Sequence, residues 1–287
     1  MTERHTPPTP PRRRRGWAGG LCLAAAALLA VLAGGAGAAA PADTGAWFER
    51  FKTEATDEEL YRFLYAMPKG GDLHNHLSGS VLDDWFYELA LAQGERGYHF
   101  YTRVRIDNCR PYGGDAFGPD PYLLLFLTLQ ESSWQQLSPC EQGEFERLED
   151  LDAGQRRAWL DSMVLDKAHE GRDEFFQTHW QRMGDLYLNP YFTADALVRN
   201  MQAFGREGLL YLETMIGVLG FLNPDGSRLT PDEVAAIYRE RLREADAVAT
   251  GVAVKLQVAI LRFAPNAEEM LRTLYAFVAR NRDLFVA

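Results

Sequence analysis

Met67-Pro68-Lys69-Gly70-Gly71-Asp72-Leu73-His74-Asn75-His76-Leu77-Ser78-Gly79-Ser80 reads as turn, strand and turn. Pro68 and Gly70-Gly71 punctuate one side, and Ser78-Gly79-Ser80 the other. If Asp72–Leu77 is a strand, its side chains alternate between two faces. His74 and His76 then point the same way, which is how one strand offers two imidazoles to one metal ion. A His-x-His pair alone is common by chance. Its setting raises its weight, because Ser80 can cap a helix over Val81–Gln93 and so complete a strand–turn–helix unit.

Before this unit, Asp43–Ala55 reads as a short amphipathic helix with Trp47, Phe48 and Phe51 on its apolar side. Thr56 and Glu59 have capping-box spacing for a helix over Asp57–Ala66. After it, the texture changes from Gly94 to about Asp152. Tyr98–Ile106 reads as strand, Asn108–Pro121 is turn-rich, and no helix-sized period appears before Ala153. We read 94–152 as an inserted subdomain. Helices are then predicted over Gly154–Leu165, Asp173–Leu186, Ala194–Glu207, Pro231–Ala249 and Asn266–Arg280. Strands are predicted over Leu209–Glu213 and Val252–Phe263, with a further one beginning at Leu284. Strands near residues 73, 211 and 256, each followed by helix, predict a parallel α/β architecture. A closed (β/α)8 barrel needs eight such strands, more than these 287 residues supply.

Hydrophobic residues make up 47% of the chain, which excludes wholesale disorder. The net charge of −10 is uneven, since the first forty residues carry +4 and the remainder −14. An acidic body without a Lys/Arg cluster argues against nucleic-acid or anionic-membrane binding. Residues 1–42 have the plan of a signal peptide. Arg12–Arg15 form the basic region, Leu21–Ala33 the apolar region, and Ala36-Gly37-Ala38 or Ala40-Pro41-Ala42 the cleavage site. The apolar run is short for a membrane span of about 20 residues; an uncleaved anchor is the alternative. We therefore expect an exported, periplasmic or extracellular protein without stable membrane association after cleavage. Two cysteines remain after the signal, Cys109 and Cys140, and in an exported chain they are expected to pair.

The segment Met67–Gly79 resembles the opening motif of adenosine deaminases, most closely the secreted branch of adenosine deaminase-related growth factors. Glu207-Gly208-Leu209-Leu210-Tyr211-Leu212-Glu213 resembles that family's second barrel strand. The insertion and the export signal also resemble the secreted branch. The resemblance spans about residues 57–287. It implies the N-terminal part of a TIM barrel over 67–287, preceded by a helical segment over 43–66. It also implies zinc-dependent hydrolytic deamination of adenosine to inosine and ammonia. His74 and His76 would be two ligands of one Zn2+, with His76 also against the ribose. Where the family has an Asp contacting the sugar, this chain has Ser78, a hydroxyl in place of a charged acceptor. Phe175, Phe176 and Trp180 would form a lid over the ribose; plain core packing is the other reading of that stripe. Met215 replaces an Arg of the family pattern, and Glu213 reads as structural.

No His follows His179, and no His-Ala-Gly-Glu segment with its general-acid Glu occurs. A catalytic zinc site needs three or more protein ligands, so no catalytic residue is assigned within this chain and the chain alone is expected to be inactive. His5, His99, His169 and His179 are not read as ligands. Two alternatives stay open. One is a non-catalytic exported binding protein derived from the barrel. The other is a different metal-dependent hydrolase with a His-x-His first strand.

Overall fold

The computed structural model describes residues 43–109, 114–115, 118–119 and 123–286. The expected signal peptide, residues 1–42, lies outside the described residues. The chain divides into two compact units at Ala66/Met67.

In the first unit, helices α1 (Thr44–Glu54) and α2 (Asp57–Ala66) are described. Asp43 caps α1 through the amide of Ala46. Thr56 and Glu59 exchange backbone and side-chain hydrogen bonds as a capping box. The rings of Trp47, Phe48, Phe51 and Phe63 converge, with the Phe51 and Phe63 centroids 5.0 Å apart.

The second unit opens with β1 (Gly70–His76) and α3 (Phe86–Ala92). Three short strands follow, β2 (Phe100–Arg103), β3 (Thr128–Gln130) and β4 (Phe145–Arg147), and then α4 (Ala153–Asp161). Helix α5 (Pro190–Arg206) leads to β5 (Leu209–Met215), α6 (Pro231–Arg241) to β6 (Ala253–Gln257), and α7 (Ala267–Arg280) comes last. Strands β1, β5 and β6 form one parallel sheet in chain order, and Phe285 continues it by a parallel bridge to Leu256. The protein is thus an α/β fold around a parallel sheet.

One face of this sheet is the core. Leu212, Leu256 and Phe285 are fully buried with Leu197, Val234, Tyr238 and Phe277 from the helices. Each such apolar side chain stabilises the fold by ~1.5–3 kcal/mol relative to exposure. Tyr238 anchors α6 by donating to the Gly217 carbonyl at 2.8 Å, just beyond β5.

The 94–152 segment forms a separate antiparallel sheet, ordered β3-β2-β4. Its residues Tyr98, Phe100 and Leu148 nevertheless belong to the same hydrophobic cluster as the parallel sheet. Trp159 of α4 donates to Thr128 Oγ1 at 2.9 Å, and both residues are fully buried. Arg103 and Glu144 form a buried ion pair at 3.1 Å. Cys109 and Cys140 are disulfide-bonded, with Cα atoms 5.5 Å apart.

Several element boundaries differ from expectation. Val81 and Leu82 are extended, so the helix expected over Val81–Gln93 begins only at Asp83, as a 3-10 turn over Asp83–Trp85 that runs into α3, and Ser80 donates back to the Leu77 carbonyl instead of capping α3. The expected helix Asp173–Leu186 contains a π-helical turn at Phe175–His179 and ends before Gly184, whose φ of +45° no ordinary helix adopts. Asn189-Pro190 starts α5, with Asn189 Oδ1 accepting from the amides of Tyr191 and Phe192. The Pro231 helix stops at Arg241, and a separate turn covers Ala245–Val248. Strand β6 ends at Gln257, six residues short of the expected Phe263.

Candidate functional site

The site lies on the sheet face opposite the core, at the C-terminal ends of the parallel strands. His76, Met215 and Gln257 are the last residues of β1, β5 and β6, and they are in register with one another. This is the end at which parallel α/β proteins place their sites.

The register of β1 is not uniform. Asp72 pairs with Leu212 and Asn75 with Thr214, so β1 spends one more residue than β5 over this interval. The extra residue is a β-bulge at Leu73-His74, a device rare in parallel pairs and common beside sites. Its cause is local. The Asp72 carboxylate accepts the His74 amide at 3.0 Å and the Asn75 Nδ2 at 2.9 Å. Buried Thr214 donates to Asn75 Oδ1 from the neighbouring strand. Three polar side chains thus hold the bulge from the core-facing side. Gly71 permits the close approach to β5 that precedes it, because a Cβ there would lie 3.2 Å from the Tyr211 Cβ.

Beyond the bulge, His74 and His76 project on the same side. Their rings meet edge to face, centroids 5.3 Å apart, and both residues are exposed. His74 Nδ1 lies 2.8 Å from Gln257 Oε1. Gln257 reaches it across β5, since β1 and β6 are both neighbours of β5 and not of each other. The Gln257 amide nitrogen donates to the Leu73 carbonyl at 3.1 Å and to Glu213 Oε2 at 2.8 Å. The Tyr211 hydroxyl donates to the other Glu213 oxygen at 2.7 Å. These two donors, Tyr211 first and Gln257 second, hold the Glu213 carboxyl below its ordinary pKa. Glu213 in turn pushes the Tyr211 hydroxyl up, by accepting its proton in a hydrogen bond.

The other expected site residues lie outside this hydrogen-bond network. Ser78 is in the short helix Leu77–Ser80, and its carbonyl accepts from the Tyr187 hydroxyl at 3.5 Å. Tyr187 is surrounded by Phe86 and Phe192, and its burial raises its pKa. Phe175, Phe176 and Trp180 cluster with one another. Among the described residues, no hydrogen bond or ring contact joins that cluster to His74 or His76. Phe176 is 55% exposed, while Trp180 packs partly against the core. His179 is buried, with Nε2 3.5 Å from Glu170 Oε1; His169 is exposed and His99 lies 3.8 Å from Glu149.

Sequence reasoning missed Gln257 and assigned Glu213 only a structural role. The available signal was position at a strand's C-terminal end. It was hidden because the apolar texture of residues 258–263 extended the expected strand past Gln257.

The donor chemistry at His74 and His76 suits a divalent metal of the zinc type, for which neutral imidazole is a common ligand. A ligating His ordinarily gives its other ring N–H to an acceptor, and Gln257 Oε1 lies 2.8 Å from His74 Nδ1. Among the described residues, no group of three or more His, Cys, Asp or Glu side chains converges on one point. No family model matches the chain, and no curated protein matches it.

Proposed function

We propose that this chain is the first part of a (β/α)8 barrel belonging to an exported, zinc-dependent purine nucleoside deaminase that converts adenosine to inosine and ammonia. The observation that carries the reading is the pair of neighbouring imidazoles at the C-terminal end of the first strand. Two features of the sheet support a barrel. Its strands run in chain order, whereas a doubly wound sheet reverses order around its first strand. Side chains of β1 and β6 meet over β5, as alternate strands do in the interior layers of a barrel. The Cys109–Cys140 disulfide is compatible with export.

In this reading His74 and His76 hold one zinc ion. A zinc ion held there supplies an acidified water, a nucleophile at neutral pH. His76 and Ser78 face the sugar, with Ser78 offering a hydroxyl as a hydrogen-bond partner. Phe175, Phe176 and Trp180 are available to exclude water from a bound nucleoside. The reading needs at least one more protein ligand and a general acid from outside these residues.

Loss of adenosine absorbance is the assay. The 287-residue chain with zinc is expected to give no turnover. A longer product whose reading frame continues into a His-Ala-Gly-Glu segment is expected to turn over. Failure of such a zinc-loaded product to deaminate adenosine would overturn the proposal.

A further inference from the structure

The Gln257 side chain is surrounded so that its orientation has one solution. Two of its three neighbours, the Leu73 carbonyl and the Glu213 carboxylate, can only accept hydrogen bonds. The amide nitrogen must therefore face both of them, leaving Oε1 toward His74 Nδ1 at 2.8 Å. An amide oxygen accepts and does not donate, so His74 Nδ1 must carry the proton. In a neutral ring, Nε2 is then the lone-pair nitrogen.

Glu213 takes its second hydrogen bond from Tyr211, so both of its oxygens are engaged. The sequence of donations runs from His74 to Gln257 to Glu213, with Tyr211 donating to Glu213 from the other side. Reversing Gln257 would set its oxygen against two acceptors. Reversing His74 would leave two lone pairs facing each other. The bulge at Leu73-His74 contributes too, because it brings the Leu73 carbonyl within reach of the Gln257 amide that faces His74.

We propose that Gln257 is a positioning residue, which holds His74 as the Nδ1–H tautomer and so presents Nε2 as the nitrogen for a divalent cation. The metal half of this statement rests on the reading of His74 and His76 as ligands; the tautomer half does not. Supporting groups of this kind are typically worth about 10–100-fold in metal affinity.

The test is imidazole nitrogen NMR on the full chain at a pH where histidine is neutral, together with zinc titration by calorimetry. His74 in the wild-type chain is expected to show Nδ1 protonated and Nε2 bare. Gln257→Leu should remove that preference and weaken zinc binding about 10–100-fold. A wild-type His74 protonated on Nε2 would overturn the proposal without any variant having to fold. So would a Gln257→Leu chain that keeps both the Nδ1–H form and the wild-type affinity. If the tautomer behaves as expected but this chain binds no zinc, the metal half of the proposal fails and the positioning of His74 by Gln257 stands.

Discussion

The imidazoles of His74 and His76 stand edge to face, their planes at 89° and their centroids 5.3 Å apart. Both residues are exposed, so neither ring contributes much to the core. His74→Ala and His76→Ala are each expected to abolish zinc binding by calorimetry. Each should change the unfolding free energy by no more than about 0.5–1 kcal/mol, the range for exposed side chains with at most one hydrogen bond. Zinc affinity retained by both variants would remove the pair from the metal site.

Asp72 holds the bulge that places these rings. Its two oxygens accept the His74 amide and the Asn75 side chain. Asp72→Ala is expected to cost about 1–2 kcal/mol in urea unfolding, because it removes both hydrogen bonds. It should also weaken zinc binding, although Asp72 is no ligand, because the backbone of His74 loses its support. An unchanged affinity would show that the bulge survives without Asp72.

Gly184 opens the 3-10 turn Gly184–Leu188, with four residues between it and the π-helical segment. Its φ is +45°, and a Cβ built there would lie 2.0 Å from the Thr128 carbonyl oxygen. Thr128 belongs to β3, so the clash would push apart the antiparallel sheet and the segment before α5. Gly184→Ala should therefore lower stability on the order of 3 kcal/mol. Chemical denaturation of the purified variant measures this.

Arg103 and Glu144 are the buried ion pair of the antiparallel sheet, each 2–3% exposed at the side chain. Glu144 also accepts the Asp107 amide at 2.7 Å. Glu144→Ala removes the carboxylate that faces this buried guanidinium and accepts the Asp107 amide, and should cost about 3–5 kcal/mol. By contrast, Arg157→Ala breaks only the surface pair with Asp161 and should leave the denaturation midpoint in place. Equal effects of the two substitutions would contradict the contrast in burial.

Asp185 is 8% exposed, and its carboxylate accepts the Gln130 amide at 2.9 Å. Burial raises its pKa, more than the hydrogen bonds from Ser133 and Gln130 lower it. A carboxyl whose folded pKa lies above its unfolded one contributes stability that is full below the unfolded value and lost as pH rises through the folded value. Relative to Asp185→Asn, the wild-type chain should thus lose stability as pH rises from the ordinary carboxylate range. Asp283 has the opposite sign: its bond to Arg239 holds its pKa down to about 2, so its contribution is lost only as pH falls toward that value. Unfolding curves of the wild type and Asp185→Asn across mildly acidic pH separate the two effects.

Local chemistry accounts for the features that were legible beforehand. The Thr56 capping box needs only a few neighbouring residues, and those are contiguous in the chain, whereas the Asn189-Pro190 start of α5 was not foreseen, the helix being expected only from Ala194. The parallel α/β plan follows from alternating apolar runs, and His74 and His76 share a side because strand side chains alternate with period two. The ends of elements were harder. Gly184 stops a helix by its left-handed backbone, whereas the sequence around it keeps a helical apolar period.

The sequence by itself determined that two imidazoles leave one strand on one side, because that depends only on spacing along β1. Tertiary structure alone decided how His74 is held. Gln257 is 183 residues away in the chain, and the bulge depends on Thr214 in a different strand. Such relations come from sheet register, which is set by the packing of Leu212 and Leu256 against the helices and leaves no periodic trace in the residues themselves.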